Sequence, residues 1–183
     1  KYITQNFSIP QFDILSCTIT NAPWINHEWL FQTIVYSFYN AAGIDGLITL
    51  EVWVIFLTFV LLVFLGYTRE FRFSTIAVLL LVLLVYQLRI TLRPDIFSLL
   101  FFVLYMMVIG AHLDKRWSLW AIAFIQIAWA NIHGFFIFGP IIIFVGLMGE
   151  WIKRHTALPW EWNTAGRLSD REYKHLKQLM IVA

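Results

Sequence analysis

Apolar residues run through this chain in long blocks rather than in strict alternation, which points to helices buried on most sides. Residues 28–42 place Trp29, Leu30, Ile34, Val35 and Phe38 on helical spacing, with Asn26 as a candidate cap and Gly43 as a candidate stop. That segment is short, aromatic and polar on one side, which suits a helix lying in a membrane interface. Five apolar blocks follow, at about 47–67, 73–88, 96–113, 117–130 and 135–152. A helix needs about 20 residues to cross a hydrocarbon core of ~30 Å, so the first block is long enough and the fourth is short. Residues 1–27 contain Pro10, Pro23 and several Ser, Thr and Asn, and read as a loop; residues 153–173 contain Pro159 and Gly166, and read as another. A further apolar helix opens at Lys174. The pattern therefore predicts an all-α, polytopic transmembrane helical bundle of about five spans within residues 44–152. It is preceded by an extracytoplasmic loop (1–27) and an interfacial helix (28–43). It is followed by a cytoplasmic loop (153–173) and the start of a sixth span (174–183).

Composition sharpens this picture. Hydrophobic residues make up 60% of the 183 and charged ones 13%, against roughly 45–50% and 25% in soluble domains. Mean hydropathy is +0.73. A net charge of +2 gives no support to a nucleic-acid partner. One cysteine, Cys17, excludes an internal disulfide and a Cys-rich zinc site, and reads as a small packing residue before a nucleophile. The chain opens on Lys1 and closes on an apolar run to Ala183, so it is expected to be a piece of a longer polypeptide. Alternate loops carry Arg69, Arg72, Lys115, Arg116, Lys153, Arg154, Arg167, Arg171, Lys174 and Lys177, ten of the 13 Lys and Arg; Lys1, Arg89 and Arg93 lie on the other side. The richer side should be cytoplasmic, which puts the N-terminal loop outside.

Three polar groups then fall on the outer side, where desolvation makes them costly to keep without a role. The first is His27-Glu28. The second is Arg89, Arg93 and Asp95 around Pro94; Arg89 and Arg93 are four apart and share a helical face. The third is Asn131 and His133, before Gly134. Paired arginines match phosphate geometry, and Glu28, His27 or His133 could move a proton. Plain structural readings stand beside these. Arg89 and Arg93 could snorkel to headgroups, Asp95 could complement a helix N-terminus, and Asn131 and His133 could satisfy broken helix backbone. Glu51 near the outer end of the first block faces a cavity or the interface, and Gln126 reads as an interhelical hydrogen bond. Gly139-Pro140 suggests a kink. No His, Cys or carboxylate cluster has metal-ligand spacing.

Ile9-Pro10-Gln11-Phe12-Asp13, Pro23 to Leu30, Arg93-Pro94-Asp95-Ile96-Phe97 and Trp129 to Phe135 together resemble a pattern in large bacterial polytopic membrane proteins similar to the GT-C class of glycosyltransferases. The resemblance covers most of residues 9–152. It implies a multi-helix protein of the bacterial inner membrane that transfers sugars from polyprenyl-phosphate donors on the extracytoplasmic side. By the same analogy a divalent metal is a candidate cofactor. The acidic motif that such enzymes carry after their first membrane helix would fall before Lys1, and neither Asp13 nor Glu28 matches it. On this reading Arg89, Arg93, Asp95 and Asn131 bind substrate, while Glu28, His27 and His133 are candidates for catalysis. Membrane lipids, a polyprenyl-phosphate-linked sugar and other membrane subunits are the expected partners. Two alternatives remain open: a non-catalytic subunit of a larger membrane complex, and a transporter or lipid flippase, which would usually show paired repeats.

Overall fold

The computed structural model describes residues 1–13, 16, 22–66, 72–86, 91–157, 159 and 161–183. It is helical, and no strand occurs among the described residues. The helices are α1 (Tyr2–Asn6), α2 (Trp29–Gly66), α3 (Arg72–Tyr86), α4 (Asp95–Ala111), α5 (Trp117–Ile132), α6 (Phe138–His155) and α7 (Asp170–Val182), with a 3₁₀ turn at Gly134–Ile137 before α6. Expectations that fall on Cys17, Arg69, Tyr67, Leu88 and Arg89 lie outside the described residues.

Two segments, Trp29–Gly66 and Gly134–His155, are long and apolar enough to cross a membrane. α3, α4 and α5 are apolar but have only 15, 17 and 16 residues. At 1.5 Å per residue α4 and α5 reach roughly 24–26 Å, short of the ~30 Å core.

α2 is one continuous element broken in the middle. Ala42 and Gly43 leave helical geometry, and Gly43 has φ +61°. L-residues with a Cβ resist that conformation, so glycine is the natural occupant. The chain then turns back on itself so closely that a Cβ on Gly46 would overlap the carbonyl oxygen of Phe38. The first half of α2 packs inward: Leu30, Phe31, Ile34 and Val35 lie against the core, and Phe31 meets Phe97 edge-on at 5.9 Å.

The core is built by α2, α4 and α5, with Ile143 of α6 and Leu176 and Leu179 of α7 added at one end. Trp129 and Tyr105 are fully buried at its centre, their rings 5.8 Å apart. The Tyr105 hydroxyl donates to Gln126 Oε1, so Gln126 makes the interhelical hydrogen bond expected of it. Its amide also donates to the carbonyl of Phe136 at 3.2 Å. That second bond draws the 3₁₀ turn back into the bundle. Gly139 then lies so near Gln126 and the Tyr105 ring that any Cβ would overlap them. Pro140 falls in the first turn of α6, where the missing N–H is one the helix does not use, so close approach rather than a mid-helix kink explains the Gly-Pro pair.

The C-terminal region corrects the expected bounds. α6 runs to His155 rather than 152, and α7 starts at Asp170 rather than 174. A capping box starts α7: the Ser169 hydroxyl accepts from the Glu172 N–H, and the Glu172 carboxylate accepts from the Ser169 N–H. α7 buries His175, Leu176 and Leu179 and exposes charge on its other faces, so this stretch is an amphipathic helix docked on the bundle.

Candidate functional site

α2 and α4 begin, and α5 ends, at one end of the bundle. There the structure brings together residues from three blocks distant in sequence. The Trp29 indole donates to Asn131 Oδ1 at 2.6 Å, and the Asn131 amide donates to the Ile127 carbonyl at 2.7 Å. The Trp129 indole donates to Ser98 Oγ at 2.9 Å, and Ser98 Oγ lies 2.9 Å from His133 Nδ1. Ser98 Oγ keeps a second lone pair and its own proton beside the bond from Trp129, so its contact with His133 Nδ1 is made in one direction or the other according to the ring's tautomer. The ring is held by Phe135, 4.4 Å away edge-on.

The charged groups at this end are less tightly engaged. Asp95 opens α4, one turn before Ser98 and on the same face. Its Oδ1 is buried and has no hydrogen-bond partner among the described residues. Glu51, next to the core residue Leu50 on the second half of α2, has a buried Oε1 in the same condition. Arg93 is exposed, two residues before Asp95, and makes no ion pair among the described residues. His27 is exposed and Glu28 half-buried in the turn that leads into α2, directly before Trp29. Asn26 does not cap α2; its side chain exchanges hydrogen bonds with Gln32 at 2.8 and 3.3 Å.

A cleft of about 560 Å³ lies beside the first turns of α2, lined among others by Tyr2, Phe12, Asp13, Trp24, Asn26 and Gln32. Its roof comes from an antiparallel pairing in which the Asp13 N–H donates to Ala22 O and the Trp24 N–H to Gln11 O, both at 2.8 Å. None of the charged candidates from the sequence lines it.

Sequence reasoning passed over two members of this end. Ser98 looked like an ordinary small residue, and Trp29 like an interfacial ring. A signal was present in both: a hydroxyl one turn after an N-terminal aspartate, and an indole N–H that needs an acceptor once its ring is packed. The candidate divalent metal finds no support in grouping, since no three His, Cys, Asp or Glu side chains among the described residues come close enough to hold an ion. Chemically, the end offers a permanent cation at Arg93, a sheltered carboxylate oxygen on Asp95 and an imidazole on His133 anchored through Nδ1. No protein-family model, curated protein or solved structure matches the chain.

Proposed function

We propose that this protein is a membrane-embedded, glycosyltransferase-like enzyme, working at the end of the bundle where Asn131, His133, Ser98 and Asp95 gather. The donor is a polyprenyl-phosphate-linked sugar. The observation that carries this reading is the hydrogen-bonded convergence of Trp29, Ser98, Trp129, Asn131 and His133 beside an unpartnered carboxylate oxygen of Asp95. In this reading the second half of α2, with α3, α4, α5 and α6, crosses the bacterial inner membrane as five spans, and the converging end faces outward.

The chemistry is a displacement at the anomeric carbon. An acceptor hydroxyl attacks that carbon, its proton passes to the Asp95 carboxylate, and the bond from carbon to phosphate oxygen breaks. The leaving electron pair stays on the polyprenyl phosphate, where Arg93 offsets the charge. His133 Nε2, the ring nitrogen not facing Ser98, can hold a sugar hydroxyl, and His27, Glu28 and Asn131 border the same end.

The test uses purified protein in lipid nanodiscs with a labelled polyprenyl-phosphate sugar. Removing a charge that stabilises the leaving group costs on the order of a hundredfold, so Arg93→Ala should lose transfer by about that factor. Wild-type turnover by Arg93→Ala would remove the residue from the reaction, and with it this assignment.

α3 favours a second reading, a non-catalytic subunit of a larger membrane complex. Among its described residues none is buried, and Val78, Leu80, Leu81 and Leu84 are more than half exposed. A helix apolar all round with so little packing against its own chain suits cover by a neighbouring subunit as well as by lipid. Stoichiometric co-purification of a second protein from native membranes, with no transfer activity, would select this reading.

A further inference from the structure

The opposite end of α5 carries a second site. α7 divides its charges between two faces. Asp170 and Tyr173 turn toward α6, where Arg154 donates to Asp170 at 2.6 Å and lies over the Tyr173 ring at 4.4 Å. Lys177 packs on that ring as well, at 4.2 Å. Arg171, Lys174 and Gln178 lie on another face, spaced three and four apart. There they border an open pocket of about 440 Å³ together with His175 and, from the start of α5, Arg116 and Trp120.

No carboxylate lines this pocket. The neighbouring acids are engaged elsewhere: Asp114 pairs with Lys115 at 2.9 Å, Asp170 with Arg154, and Glu172 with Ser169. Arg116, Arg171 and Lys174 form no ion pair among the described residues. Three cations free of direct ion pairs among the described residues, with Asp114 acting on Arg171 only at longer range, lie next to the positive end of a 16-residue helix and suit a phosphate group.

What lies below the pocket selects the source of that phosphate. Trp120, Phe124 and Ile127 follow one another along one face of α5 and are 79%, 74% and 66% exposed. A cationic pocket at the head of an exposed apolar stripe has the shape of an anionic phospholipid, with the headgroup at the cations and an acyl chain along the stripe.

We propose that Arg116, Arg171 and Lys174 bind the phosphate of an anionic lipid headgroup, with its chain against Trp120, Phe124 and Ile127. This rests on the reading that the bundle lies in a membrane.

The experiment reconstitutes the protein in nanodiscs of phosphatidylcholine and phosphatidylglycerol, releases it gently into detergent and counts retained phosphatidylglycerol by native mass spectrometry. Wild type should retain one molecule selectively over phosphatidylcholine. Arg116→Gln, Arg171→Gln and Lys174→Gln should each weaken retention by about fivefold, and the triple variant by roughly a hundredfold, at about one charge–headgroup contact per residue. Lys115→Gln removes a nearby paired charge outside the pocket and should leave retention unchanged. Equal loss in Lys115→Gln, or wild-type retention in the triple variant, overturns the site. Titration of delipidated protein with inorganic phosphate separates the sources: binding of phosphate with no lipid retained overturns the lipid assignment. Carbonate extraction of native membranes separates the premise from the proposal. Extracted protein overturns the membrane reading, while protein that stays in the membrane and retains no phosphatidylglycerol overturns the headgroup site alone.

Discussion

The two ends of the bundle handle charge in opposite ways. At the end shared by α6 and α7, a buried carboxylate is fully engaged. Glu150 accepts from Arg154 Nε at 2.9 Å and from the Leu168 N–H at 3.2 Å. Arg154 also donates to the Leu168 carbonyl at 2.7 Å and to Asp170. One arginine thus ties α6, the returning loop and α7 together through three hydrogen bonds, one from each nitrogen. At the end where α4 begins, the neutral groups are the ones engaged. Trp29 bonds to Asn131, and Trp129 and His133 to Ser98, while Arg93 and one oxygen of Asp95 have no partner among the described residues. A buried ion pair with all its hydrogen bonds made is a structural device. A carboxylate oxygen buried without a partner, as in Asp95, carries a desolvation cost that packing alone does not explain. The contrast separates a clamp from a site.

The largest effect expected from this comparison is on stability. Arg154→Ala leaves Glu150 buried without its counter-ion and should be strongly destabilising, read as a drop in thermal unfolding temperature in detergent. The sugar-transfer rate of the surviving folded fraction should hold. Arg93→Ala should behave in reverse: a hundredfold loss of transfer with an unfolding midpoint unchanged within error. If both variants lose stability alike, the two ends do not differ in kind.

Within the outer cluster, Ser98→Ala removes the acceptor of Trp129 and the hydrogen-bond partner of His133 together. Leaving those groups unsatisfied should cost about 1–3 kcal/mol, measured by chemical denaturation in mixed micelles. Ser98→Thr keeps the hydroxyl and should restore most of it. Gly43→Ala probes backbone alone, because a Cβ there meets nothing within 4 Å while φ is +61°. A loss of about 1 kcal/mol is expected, and no loss would mean that the break in α2 relaxes without strain.

The smallest effect concerns pH. The Arg154 hydrogen bond holds the Asp170 carboxyl below its usual range, and hydrogen bonds from Ser169 do the same for Glu172. A depressed carboxylate contributes stability at pH above its unfolded value, and that contribution fades as pH falls through the lowered folded value. Ordinary Asp and Glu titrate near ~4, so α7 should loosen only below about that pH. Hydrogen exchange of the α7 amides should show it, with no matching change in α4. Faster exchange near neutral pH would contradict the capping and pairing described.

Much of the secondary structure was legible from local pattern. Gly43 marks the break in α2, Pro94 and Asp95 mark the start of α4, and Trp117 opens α5, because glycine freedom, proline geometry and apolar run length act within a few residues. Gln126 was legible too, since a lone amide in an apolar helix needs a partner. Other features were hidden. The helix expected from 174 starts four residues earlier, at the Ser169 capping box, and its buried face is narrow. Glu150 and Arg154, four apart near the end of an apolar block, could have signalled an ion pair, but nothing local indicated Asp170 or the Leu168 backbone as further partners.

By itself, then, the sequence determined that this chain is helical, where its helices break and which polar residues are expensive to bury. Those properties follow from short-range sterics and from the transfer cost of each side chain. Only the tertiary structure decided who meets whom. Trp29 reaches Asn131 across 102 positions, Ser98 links Trp129 to His133, and the 3₁₀ turn folds inward onto Gln126 and Tyr105. Helix rotation and crossing set those pairings, and they depend on how whole faces pack together rather than on any residue's own preference.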